Sequence, residues 1–127
     1  MNRKINNDYS KGKIYSISHK DDINSEIYIG CTTKSLDHRL TVHKYYFNAS
    51  KKNEKIYKLS AFKLFEKYGI SNLEIKLLEE VNASSLKAMI EREAYFIKTH
   101  ECINHNIPLQ TRHEYYMKNK KIKLDNI

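Results

Sequence analysis

Three side chains of this 127-residue chain have spacings that could do chemistry. Arg39 follows Leu36 by three residues and precedes His43 by four, so on a helix Arg39 and His43 share one face, one turn apart. Glu93 follows Met89 by four and Ile90 by three, and precedes Ile97 by four, inside an apolar stripe. A carboxylate there must be paired, metal-bound or set in a cleft, since burying it alone costs roughly several kcal/mol. Spacing alone leaves two readings of Glu93 open: a working carboxylate, or a core-edge residue paired with Lys or Arg. For Arg39 and His43 it favours a solvated basic face.

The elements that must carry these residues follow from pattern. Residues 13–18 (K-I-Y-S-I-S) and 26–31 (E-I-Y-I-G-C) are rich in strand formers, and the polar stretch between them holds turn residues, so an antiparallel hairpin is expected. Helical spacing over 35–47 puts Leu36, Leu40, His43 and Phe47 on one stripe. A second helix is expected over about 55–68, carrying Ile56, Leu59, Phe62 and Phe65 and ending at Gly69. The alternation over 73–78 predicts a third strand. Ser84 or Ser85 is the expected N-cap of a third helix, with Leu86, Met89, Ile90 and Ile97 inward. Thr111 and Glu114 fit a capping box opening a last short helix. The predicted order is β-β-α-α-β-α: an α+β fold with a three-stranded antiparallel sheet flanked by helices.

Length and composition fit one domain, expected over 12–116, with a basic lead over 1–11 and a basic tail over 117–127. Hydrophobic residues make up 40% of the chain, too many for a disordered tail. No apolar run reaches the ~20 residues of a membrane span, and the first ten residues lack a signal-peptide core, so an intracellular protein is expected. Two cysteines exclude a disulfide framework. The net charge of +8 suggests a polyanionic partner, nucleic acid before membrane, although 19 of the 23 basic residues are Lys and part of that excess can be compositional drift. The charge is uneven: 39–67 carries eight basic and two acidic residues, a local +6 that begins at Arg39.

Lys13-Ile14-Tyr15 and Tyr28-Ile29-Gly30 resemble the paired signatures of the GIY-YIG nuclease family. So do the later elements in order: Arg39 and His43, then Glu91 to Ile97 around Glu93, then Asn104. The resemblance covers about 12–104. It implies a DNA endonuclease using one divalent cation, Mg²⁺ or Mn²⁺, held by Glu93. It further implies Tyr15 as general base, Tyr28 beside it for positioning or as an alternative proton carrier, and Arg39 on the scissile phosphate. His43 would contact phosphate or relay a proton, and Asn104 would orient the site, with Asn106 as its rival. A phenol at pKa ~10 is a poor base unless a cation lowers that value, a physical reason to want Arg39 or the metal nearby.

Lys13 stands where that family usually has Gly; its side chain is expected to point away from the neighbours of Tyr15 and to be tolerated. With one domain filling these 127 residues, no separate DNA-binding module is expected, and specificity would come from the domain itself, its loops and tail, a second copy or an accessory protein. His100, Cys102 and His105 meet no standard zinc spacing. Cys31 reads as a small core residue. Tyr45-Tyr46 could stack on bases, with packing the favoured reading. Two rivals to the nuclease remain: an inactive nucleic-acid-binding module of the same fold, and a structural or protein-interaction domain.

Overall fold

The computed structural model describes residues 8–53 and 59–104. A three-stranded antiparallel sheet carries the fold, with β1 (Gly12–His19) between β2 (Tyr28–Thr32) and β3 (Leu73–Val81). Helices α1 (Leu36–Lys52) and α2 (Phe62–Tyr68) fall between β2 and β3, and α3 (Leu86–Thr99) follows. The order is the β-β-α-α-β-α expected, and the class is α+β.

Strand alternation divides β1 between two cores. Tyr15 and Ile17 join Phe47 of α1, Phe62, Leu64 and Phe65 of α2, and Leu73 in the larger cluster. Ile14 packs with Ile29 and Ile97 of α3 in the smaller one. The sheet is thus covered on both faces, and its central strand places consecutive side chains against different helices. Ser35 and Ser85 cap α1 and α3, each accepting from the backbone N–H three residues on. Gly69 ends α2 with φ +84°, in the left-handed region.

Several boundaries differ from expectation. Helix α1 continues to Lys52, and the Ser50 hydroxyl is satisfied inside the helix by the Phe47 carbonyl at 2.7 Å. Among the described residues α2 begins only at Phe62; Leu59 and Ser60 form a turn whose carbonyls accept from Phe62 and Lys63. Ile56 lies outside the described residues, as do Asn106, His105 and the helix expected from Thr111. Strand β3 runs past Leu78 to Val81 because a bulge admits an extra residue: Ile14 pairs with Glu79 while Tyr15 pairs with Leu77. Leu86 opens α3 ahead of the turn that meets the sheet and is 47% exposed, not inward as its spacing had suggested. Among the described residues no helix is long and apolar enough to cross a membrane.

Candidate active site

Tyr15 stands on the central strand with no exposed surface. Its ring passes over Gly30, its cross-strand partner on β2. There the phenol oxygen accepts from Arg39 Nε–H at 3.1 Å and lies 2.8 Å from His43 Nε2. Arg39 and His43 do share one face of α1, and that face is turned onto the hairpin rather than to solvent. His43 is 1% exposed, with Tyr28 edge to face against its ring at 5.6 Å between centroids. Four of the six expected residues therefore meet here.

Proton positions follow from counting partners. Burial raises the pKa of Tyr15, outweighing the opposing pull of Arg39, so the phenol keeps its proton. The expectation that a neighbouring cation lowers the phenol is met in the sign of Arg39's effect but not in the sum. Burial likewise pushes His43 down to about 3, with Arg39 adding to the effect, so the imidazole is neutral. His43 Nδ1 is buried without a partner. If Tyr15 O–H donates to Nε2, only Nδ1–H goes unpaired; the reverse tautomer would strand both the phenol hydrogen and the Nδ1 lone pair. The first arrangement wastes one group instead of two.

A buried neutral histidine makes stability depend on pH. The unfolded chain takes up a proton near 6.5 and the folded one only near 3, so this contribution is present above pH 6.5 and is lost as pH falls toward 3. Glu93 acts in the opposite sense, because its raised pKa favours the folded protein as pH drops toward the carboxylate range. From His43 alone, urea unfolding at pH 5 is expected to give about 2 kcal/mol less stability than at pH 7.5. In His43→Gln most of that difference should vanish; a difference of unchanged size would show that another group carries it.

Glu93 reaches the site from α3. It forms no ion pair within 4.0 Å among the described residues, where the salt bridges are Lys67–Glu26, Lys76–Glu74 and Arg92–Glu79. Its partner is the Cys31 thiol, which donates to the carboxylate, with Arg39 acting on both electrostatically. Burial raises the Glu93 carboxyl, and the thiol and Arg39 draw it partly back. The thiol is raised too, by burial first and by Glu93 second. Arg39 feels the opposite pair of forces: burial disfavours its charge, but Tyr15, Tyr28 and Cys31 outweigh burial and its pKa rises. One guanidinium thus couples the phenol, the imidazole, the thiol and the carboxylate.

Among the described residues no three His, Cys, Asp or Glu side chains gather as a metal cage. A lone half-buried carboxylate beside a cation does suit Mg²⁺, which keeps several waters and is bound through one or two carboxylates plus substrate phosphate. The donor set fits a cation that is completed by water and substrate.

Asn104 lies away from this cluster and supports it through β2. Its Nδ2 donates to the Ile29 carbonyl at 2.7 Å and its Oδ1 accepts from the Ile29 N–H at 3.0 Å, while Ile103 N–H donates to the Ile27 carbonyl at 2.9 Å. The side chain imitates a strand on the outer edge of β2, between Tyr28 and Gly30. Asn104→Ala leaves an N–H and a C=O of a half-covered edge unpaired, so a loss of about 1–3 kcal/mol in denaturant unfolding is expected. A change under about 0.3 kcal/mol, within ordinary surface scatter, would remove Asn104 from the supporting structure.

Sequence reasoning gave Cys31 and Lys13 no part in the site. Cys31 was read as core because a cysteine beside glycine on a strand carries no distinguishing pattern; only the fold puts it against Glu93. The Lys13 ammonium donates to the Lys11 carbonyl at 3.1 Å and the Lys34 carbonyl at 3.3 Å, tying the start of β1 to the loop that leads into α1.

No protein-family model and no curated protein matches the chain. Among solved structures it is similar to the catalytic domain of homing endonuclease I-TevI, with a TM-score of 0.57 and 23% sequence identity. The match covers 76% of this chain and 99% of that one. Sheet order, helix placement and that coverage agree with the signature residues: this chain has the GIY-YIG nuclease fold.

Proposed function

We propose that the chain is a metal-dependent endonuclease that hydrolyses DNA phosphodiester bonds. The observation that carries this reading is the buried hydrogen-bonded group Arg39–Tyr15–His43, electrostatically coupled through Arg39 to Glu93. The fold shared with a homing endonuclease catalytic domain supports the same class of substrate.

In this reading Arg39 keeps its Nε on Tyr15 and turns the outer guanidinium nitrogens to the scissile phosphate. Tyr15 accepts the proton of the attacking water as its own passes to His43 Nε2, so the phenol need not ionise. The phenol's charge is then never formed; the cost passes to the His43 imidazolium, which burial and Arg39 disfavour and which an anionic phosphate bound at Arg39 would offset. Tyr28 packs the imidazole in place, and Asn104 holds the strand that carries Tyr28 and Gly30. Glu93 would hold the divalent cation, which when bound draws charge from the phosphate and the departing oxygen. A proton path, a phosphate grip and a carboxylate contributed by β1, α1 and α3 support an active enzyme over an inactive module of the same fold.

Supercoiled plasmid incubated with the protein and Mg²⁺ or Mn²⁺ is expected to be nicked, and nicking should stop when EDTA removes the metal. Cleavage that survives EDTA would end the metal assignment. Absence of cleavage under every metal condition would end the enzyme reading, and DNA binding with a steep salt dependence would then identify a binding module of the same fold.

A further inference from the structure

We infer that Tyr46 is a base-stacking residue on the active-site face of α1, and that the preferred substrate carries an unstacked base, as at a bulge or a single-strand junction, close to the phosphate that is cut. This rests on the nuclease reading and names its substrate class. Arg39, His43 and Tyr46 stand at i, i+4 and i+7 of α1. At 3.6 residues per turn Tyr46 returns to within about 20° of Arg39, roughly 10 Å further along the axis. That distance is about three stacked base steps of roughly 3.4 Å each.

Packing does not account for this side chain. Tyr46 belongs to neither core cluster and is 49% exposed, and Tyr45 beside it is 68% exposed. The two rings meet edge to face, 5.5 Å between centroids and 78° between planes, so this pairing covers at most one broad face of one ring. The same helix carries Arg39, Lys44, Lys51 and Lys52 against a single acidic residue, Asp37. An aromatic face on a cationic helix, in line with a phosphate-gripping arginine, complements a base on a polyanionic strand. A continuous duplex keeps its base faces stacked and unavailable to such a ring.

The test measures binding in a Glu93→Gln background, where DNA is not consumed. Two duplexes of one sequence carry 2-aminopurine, either in a one-base bulge or fully paired. A preference of tenfold or more for the bulged duplex is expected, with quenching of the 2-aminopurine fluorescence as the base stacks. Adding Tyr46→Ala should bring the ratio to near one and abolish the quenching, and adding Tyr46→Phe should keep both. A ratio that is near one before Tyr46 is changed, or that persists in Tyr46→Ala, overturns the inference. Plasmid nicking by the unmodified protein separates the two readings. A Tyr46-dependent preference without any cleavage would end the nuclease reading alone, and cleavage without the preference would end this one alone.

Discussion

Glu93→Gln is expected to reduce DNA cleavage by on the order of a thousandfold or more while raising the melting temperature. The two effects have one cause. Burial disfavours the carboxylate charge, and only partial compensation comes from the Cys31 thiol and from Arg39. The amide keeps the shape and can still accept from the thiol, so the fold sheds a desolvation cost while the site loses its anionic ligand. The competing account of Glu93, a core-edge residue held by an ion pair, predicts the opposite sign for stability, because removing one partner of such a pair strands the other. Nicking rates and thermal melts of the same sample decide the matter. Near-wild-type cleavage would remove Glu93 from metal binding, and a lowered melting temperature would make it structural.

The second large effect is expected at Gly30. A Cβ added there would sit 2.5 Å from Cζ of Tyr15, and the ring has nowhere to go: it is buried, and its oxygen is held by Arg39 and His43. Gly30 is not among residues of positive φ, so the cost is one of space and not of backbone conformation. Gly30→Ala should destabilise the protein by about 1–3 kcal/mol through overpacking. It should also cut activity by about a hundredfold, since a displacement of about 1 Å at a reacting group costs that much. Tyr15→Val is costly by itself, because it empties a core site and strands Arg39 and His43, but in that background Gly30→Ala should add little further loss of stability. Additive stability losses in the double variant would mean that the glycine is needed for some reason other than the ring.

Much of the fold could be read from the chain because local and long-range preferences agree there. The β-branched and aromatic runs around Ile14, Ile17 and Ile29 form strands, and the stripe through Leu40 and Phe47 turns inward. Ser85 opens α3 and Gly69 ends α2 where cap chemistry predicts. The misread boundaries lie where tertiary pairing decides. The bulge at Leu78 extends β3 through contacts with β1, and Leu86 is exposed because its turn precedes the sheet. At the site, spacing could place Arg39 and His43 on one face but not say what that face meets. Burial of His43 against Tyr15 and Tyr28 depends on the hairpin lying under α1. The thiol beside Glu93 was beyond reach for the same reason: β2 and α3 are distant in sequence, and no pattern in either announces the other.

The side-chain strand made by Asn104 also sets the order in which the site can be completed. Tyr15, Tyr28, Arg39 and His43 all belong to the N-terminal half of the chain, yet the edge that steadies them is closed across 75 residues of sequence. A chain emerging from a ribosome at its N-terminal end carries the tyrosines, the arginine and the histidine long before it carries α3 or the asparagine. Chain length therefore acts as a timer: until residue 104 has been added, the outer edge of β2 has open backbone groups and Tyr15 and Tyr28 have no finished wall behind them.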